Sequence, residues 1–218
     1  MPLTGWRALV LAAGAGRRFG GAKLLAPLAG APVIRRTLEA VAAAGFDDLV
    51  VVTGAHSAEI ARALAGLDCR MVEAEDWDQG MAASIRAGCS AFADTGAGLF
   101  LFLGDMPLVP VDMCAELAER AQASGFAARP RVQGRPGHPV AFSRAALPML
   151  MALEGDAGAG ELLRRRRDDT AYLETDDIGA VLDIDDADGL ALAERLWNSR
   201  ATSATTESAI SRGALPKP

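Results

Sequence analysis

Leu9-Val10-Leu11-Ala12-Ala13-Gly14-Ala15-Gly16-Arg17-Arg18-Phe19-Gly20, with Lys23 close behind, is the stretch that decides how this chain is read. A short apolar run of strand character delivers the backbone straight into a glycine-rich turn. Gly14 and Gly16 can take backbone angles closed to other residues and expose N–H groups to an anion. The small Ala12 and Ala13 permit close approach of a base or ribose, and Arg18 and Lys23 supply positive charge. The spacing does not match G-x-x-x-x-G-K-[ST], and no acidic ribose ligand follows the next strand as a dinucleotide fold would want. Glycines alone fit an ordinary tight turn with two solvated arginines equally well; the whole string is more specific, and motif position favours Arg18 over Arg17.

Outward from this loop, short apolar runs alternate with helical patterns, the order that a parallel sheet with crossover helices produces. Residues 8–12, 49–53, 69–72 and 99–103 read as buried strands, and 33–44, 58–65 and 81–92 as helices with apolar residues at three- and four-residue spacing. The second half is less regular. A helix over 112–123 leads to a strand over 126–132 and to the turn-rich Gly134-Arg-Pro-Gly-His-Pro139. Residues 139–142 read as another strand, Ser143 as the cap of a helix to Leu153, 180–184 as a late strand, and the chain closes with a helix through Trp197. The expectation is one domain over 1–198 and a disordered tail over 199–218, which is rich in Ser, Thr and Ala.

Half of the 218 residues are apolar and only 5% aromatic, which predicts a closely packed aliphatic core. The formal charge of −6 argues against a protein that grips a nucleic acid polymer, since that requires a broad basic field. A small anionic ligand can still be met by a few local cations and backbone N–H groups. Cys69, Cys89 and Cys114 lie far apart, suggesting neither a zinc knuckle nor a disulfide framework. There is no secretory-type leader pattern and no apolar run near the ~20 residues a membrane span needs. The expectation is a cytoplasmic protein with no membrane partner.

Several ordered blocks resemble the molybdenum cofactor cytidylyltransferases, within the wider group of nucleotidyltransferases of the molybdenum cofactor type. They are the glycine loop itself, Leu24-Leu-Ala-Pro-Leu-Ala-Gly-Ala-Pro-Val33, Val51-Val-Thr-Gly54, Gly80-Met-Ala-Ala-Ser-Ile85, Leu103-Gly-Asp-Met-Pro107, Gly137-His-Pro-Val140 and Asp183-Ile-Asp185. The resemblance implies a Rossmann-like nucleotidyltransferase fold, an α/β chain forming a mostly parallel three-layer α/β/α sandwich. It also implies Mg²⁺ at the active site and transfer of CMP from CTP to the terminal phosphate of molybdopterin, giving molybdopterin cytosine dinucleotide and pyrophosphate. Ala13, where the guanine-dinucleotide enzymes usually carry a glycine, leans the likeness towards cytosine. A recipient molybdoenzyme is a further implied partner.

Carried over residue by residue, the resemblance gives Arg18 and Lys23 the triphosphate and Asp105 and Asp185 the metal. Leu11, Ala12, Ala13, Gly14, Thr53, Gly54, Gly80 and Ser84 fall to the nucleotide; His138, between Gly137 and Pro139, reads more as a residue that orders its loop than as a base, with contact to the pterin-bearing substrate as the alternative. Asp105 also follows the apolar run 99–103 at the carboxyl end of an expected parallel strand, the edge where open α/β sheets place ligands. If that strand and 9–12 lie side by side, Asp105 faces the anion held by Lys23. Mg²⁺ keeps waters and phosphate oxygens as ligands, so one or two carboxylates suffice. Asp183 and Asp185 are hard to separate, since either suits the start of the last helix. The run Arg164–Arg167 reads as a solvated helix end.

Three departures bear on the substrate side: Gly160 and Gly189 replace the residues usual at their motif positions, and the Asn often found ahead of Gly80-Met81 is missing. Two rival readings stay open. One is a related nucleotidyltransferase using GTP or another phosphorylated acceptor; the other is a non-catalytic chaperone for the molybdenum cofactor.

Overall fold

The computed structural model describes residues 3–16, 19–92, 96–155 and 158–211. In chain order these form β1 (Leu3–Ala12), the two-residue hairpin strands β2 (Pro27–Leu28) and β3 (Ala31–Pro32), α1 (Val33–Ala43), β4 (Phe46–Thr53), α2 (Ser57–Ala63), β5 (Arg70–Glu73) and α3 (Met81–Ser90). There follow β6 (Gly98–Leu103), α4 (Cys114–Ser124), β7 (Ala127–Val132), β8 (Arg135–Pro136), β9 (Val140–Ser143), α5 (Leu147–Met151), α6 (Ala159–Arg165), β10 (Thr170–Glu174) and α7 (Ala187–Ser211). The main sheet runs β10-β7-β9-β6-β1-β4-β5, with β8 paired to β7. β1 pairs in parallel with both β4 and β6, and β4–β5 and β7–β10 are parallel as well. β9 is antiparallel to both of its neighbours. The central sheet is mostly parallel, as the Rossmann-like expectation requires.

The alternation of side chains along β1 divides the core in two. Ala8, Val10 and Ala12 face Phe100 and Phe102 of β6 and the apolar stripes of α1 (Ile34, Leu38, Val41) and α4 (Leu117, Ala121). Leu9 faces the other way, with Val50, Val52, Leu99 and Leu101, beneath α3, α5 and α6. Strands covered on both faces read as continuous apolar runs, which is why 8–12, 49–53 and 99–103 were legible. A third, smaller cluster joins Leu28, Val33 and Leu108 to Ile184 and to Ala193 of α7.

Three local expectations are corrected. Residues 180–184 form no strand: a single 3-10 turn spans Ile178–Ala180, and Ile184 then enters the third cluster, where it meets α7 instead of a sheet edge. Ser143 does not cap a helix; its Oγ is buried without a hydrogen-bond partner, a 3-10 turn follows over Arg144–Ala146, and α5 begins with Pro148 in its first turn. The closing helix does not stop at Trp197 but continues to Ser211. Arg200, on that continuation, donates from Nη1 to the Leu108 carbonyl at 2.9 Å and pairs with Asp177. Residues 212–218 lie outside the described residues. No described helix is long and apolar enough to cross a membrane.

Candidate active site

β1 and β6 lie side by side in register, Leu9 opposite Leu101 and Leu11 opposite Leu103, so the glycine loop and Asp105 leave the same carboxyl edge of the sheet. A backbone hydrogen bond from Gly104 N–H to the Leu11 carbonyl (2.9 Å) ties the two exits together. Gly104 must be glycine for this approach: a Cβ there would stand 2.8 Å from Ile34 Cδ1 and 3.0 Å from the Leu11 oxygen. Thr37 of α1, fully buried, donates its hydroxyl to the Gly104 carbonyl at 2.9 Å and fixes the turn from the opposite side. Ile184 then donates its N–H to the Asp105 carbonyl at 3.1 Å, bringing the 183–185 segment against this turn.

Lys23 enters from the 3-10 turn Lys23–Leu25, which closes the glycine loop. Its Nζ stands 2.6 Å from Asp105 Oδ2 and 2.9 Å from Asp185 Oδ1. Lys23 and Asp105 are both largely buried, with side chains 17% and 16% exposed, whereas Asp185 is 43% exposed. Burial pushes the Asp105 carboxyl above the usual carboxylate range; Lys23 opposes this and the nearby Asp183 adds to it. Burial also works against the Lys23 charge, yet Asp105 and Asp185 together hold its pKa above the ordinary lysine value.

The cleft around this cluster measures about 560 Å³, and Leu11, Ala12, Ala13, Gly14 and Gly16 form its loop side. Gly80, Met81 and Ser84, at the start of α3, line it together with Lys23, Asp105, Asp183 and Asp185. These groups fit a divalent cation. Asp105 Oδ1 is buried with no hydrogen-bond partner among the described residues, an acceptor left open beside two further carboxylates. Among the described residues no group of three metal-ligating side chains is preformed.

The remaining sequence-derived candidates fall elsewhere. Arg18, like Arg17, lies outside the described residues. Thr53 is buried, its Oγ1 2.9 Å from Ser57 Oγ, and holds the end of β4 instead of lining the cleft. Gly54 sits behind the cleft wall, against Trp77. His138 also stands outside the lining: Nδ1 is 3.5 Å from the Leu101 carbonyl, and its N–H donates to the Ala180 carbonyl at 2.7 Å. Burial first, and the charge of Arg129 second, lower its pKa to about 4, so the ring is neutral. The arginine run pairs with neighbouring acids at the end of α6, Arg166 with Asp169 and Arg167 with Asp168.

Sequence reasoning missed Phe19, Trp77 and Asp78, all of which line the cleft. Trp77 carried a signal: it is a lone aromatic in the polar run Glu75-Asp-Trp-Asp-Gln79, in a chain with only 5% aromatics.

A parallel sheet that gathers a glycine loop, a lysine and converging carboxylates at one carboxyl edge defines a nucleotidyltransferase of the Rossmann-like class. The chain belongs to the MobA-like NTP transferase domain family, which matches residues 8–171. It is 33% identical over 168 residues to nicotine blue oxidoreductase of Paenarthrobacter nicotinovorans, covering 72% of this chain and 81% of that one. It is 30% identical over 184 residues to the purine catabolism protein PucB of Bacillus subtilis, covering 80% and 89% respectively. Among solved structures, Rv0371c of Mycobacterium tuberculosis superposes with a TM-score of 0.78 at 32% identity, covering 89% of this chain and all of that one. A second structure of Rv0371c, a complex with manganese, superposes with a TM-score of 0.74 at 27% identity, covering 87% of this chain and 98% of that one.

Proposed function

We propose that this chain transfers CMP from CTP to the terminal phosphate of molybdopterin carrying its metal, forming molybdopterin cytosine dinucleotide and pyrophosphate. The observation that carries the reading is the convergence of Lys23, Asp105 and Asp185 beside the glycine loop. An oxygen of the acceptor phosphate attacks the α-phosphorus, the bond from that phosphorus to the bridging oxygen of the β-phosphate breaks, and pyrophosphate leaves with the electron pair. The nucleophile is already ionised at neutral pH, so the site needs no general base.

Its work is to neutralise and align two anions. Asp105 and Asp185, with Asp183 beside them, would hold a Mg²⁺ ion, which would supply positive charge to the triphosphate and to the departing pyrophosphate. The manganese bound by a similar protein supports a divalent ion here. Lys23 bridges the two carboxylates and is placed to turn its ammonium to the β- and γ-phosphates, while the loop from Ala12 to Gly16 offers backbone N–H groups. Arg18 adds the second phosphate cation of the family motif. The short side chains of Ala12 and Ala13 and the Gly80–Ser84 segment border the base and favour cytosine.

The test is product analysis with purified protein, Mg²⁺ and either CTP or GTP, together with molybdenum-bound molybdopterin. The cytosine dinucleotide is expected. A guanine dinucleotide would overturn the base assignment, no product with either nucleotide would overturn the acceptor, and unchanged cofactor delivery by Asp105→Ala would favour the chaperone.

A further inference from the structure

Trp77 lines the cleft, and a residue behind it holds it in place. Trp77 opens the 3-10 turn Trp77–Gln79 between β5 and α3. Its N–H donates to the Ala74 carbonyl at 3.2 Å, and Ala74 donates in turn to the Thr53 carbonyl at 2.9 Å, so the turn hangs from the end of β4. The indole rests on Gly54: a Cβ there would lie 2.5 Å from Trp77 Cγ and 2.8 Å from the Ala13 carbonyl oxygen. Ala55 donates its N–H to that same Ala13 oxygen at 3.2 Å, which anchors the glycine loop to the β4–α2 turn. Ala13, Gly54 and Trp77 therefore form one continuous stack. The carbonyl at its base is fixed in the loop, so a side chain at position 54 must displace the indole.

Around the indole the cleft is lined by small groups, Ala13, Gly14 and Gly80, which leave room for a planar ring. Two polar groups face the same space. The Ser84 hydroxyl bonds to none of the described residues, and Asp78 brings an exposed carboxylate. The cations and acids that handle phosphate, Lys23, Asp105 and Asp185, belong to the turns that follow β1 and β6 and to the segment before α7. Trp77 contributes no charge, so its part in binding is confined to a neutral flat ring.

We propose that Trp77 is the stacking wall for the nucleobase of a nucleoside triphosphate and that Gly54 sets the width of the base slot, an assignment that rests on the nucleotide reading given above. Stacking on an indole is tolerant of base identity, because every base has a π face. Trp77 thus supplies affinity, and discrimination comes from how far the indole stands back. A side chain at position 54 narrows the slot and excludes a purine before a pyrimidine, so Gly54→Ala shifts relative affinity towards CTP over GTP.

The test uses the full chain with Mg²⁺ and two probes: CTP, and inorganic tripolyphosphate, which carries the phosphates without a base. Of the three tryptophans, Trp6 is buried against Phe100 and Trp197 lies under Arg36, so CTP is expected to change the emission of Trp77 and tripolyphosphate is not. By calorimetry, Trp77→Leu should weaken CTP binding about tenfold or more and leave tripolyphosphate within about twofold, while Trp77→Phe retains most of the CTP affinity. Equal weakening of both probes would mark Trp77 as merely structural and overturn the proposal. Undiminished CTP binding by Trp77→Leu would overturn the wall alone and leave the nucleotide reading standing. A wild-type protein that binds tripolyphosphate but neither CTP nor GTP would overturn the nucleotide reading, and the wall with it.

Discussion

Asp105 is held in a position that stability alone would not select. Burial outweighs the help of Lys23 and raises its pKa, so the folded chain keeps its proton more readily than the unfolded one does. In the pH window above the ordinary carboxylate value, folding must therefore leave a poorly solvated charge at Asp105, and this contribution to stability falls as pH rises. One of its carboxylate oxygens is buried with no hydrogen-bond partner among the described residues. Asp105→Asn is expected to lower turnover about a hundredfold or more, the loss typical of a missing electrostatic contact to the transition state. Calorimetric melting of the same variant should give a midpoint equal to or above that of the wild type. A lower midpoint would mean that the ion pair with Lys23 stabilises the fold more than burial of the charge disfavours it.

At the scale of elements, the turn carrying Asp105 is fixed from three sides: Gly104 to β1, Thr37 of α1 to Gly104, and Ile184 to Asp105 itself. Thr37→Val keeps the volume but removes the hydroxyl that donates to the buried Gly104 carbonyl. Urea unfolding should show a loss of about 1–2 kcal/mol, the cost of stranding a buried acceptor. Turnover should fall as well, since the turn loses one of its tethers. The first two tethers join elements that were legible in sequence, because β1, β6 and α1 declare themselves by doubly buried apolar runs and a helical stripe. The third was not. Ala180-Val-Leu-Asp-Ile184 has the composition of a strand, but Ile184 packs into the cluster around Leu108 and Ala193 instead. β10 was missed for the opposite reason: Thr170-Ala-Tyr-Leu-Glu174 is a half-buried edge strand, and it lacks the uniformly apolar run of the central strands.

Over the whole molecule, the last helix closes what the first strand opens. α7 covers Leu28, Leu108 and Ile184, and Arg200 reaches back to Leu108, so the 183–185 segment is pressed against the turn of Asp105 by the far end of the chain. That long-range arrangement leaves no periodic trace in sequence. His138 is a second whole-fold feature, buried between β6 and the 3-10 turn at Ile178–Ala180. Its pKa falls from 6.5 to about 4, so the unfolded chain takes up a proton that the folded chain refuses. Stability from this group is complete above pH 6.5 and is lost as pH falls towards 4. The loss amounts to at most about 3 kcal/mol, an upper bound because part of the residue meets solvent. Comparing urea unfolding of the wild type and His138→Gln across that window isolates the effect: the slope with pH should be shallower in the variant, and equal slopes would contradict a buried neutral ring.

The central claim is that the glycine loop, Lys23 and the converging aspartates hold one metal-bound polyphosphate. Calorimetric titration with CTP, in the presence and absence of Mg²⁺, tests it most directly when wild type and Asp105→Asn are compared. Mg²⁺ should tighten CTP binding to the wild type by about tenfold or more, and this gain should vanish in the variant, because metal and nucleotide are coupled through that carboxylate. The same Mg²⁺-dependent gain in both proteins, or none in the wild type, would contradict it.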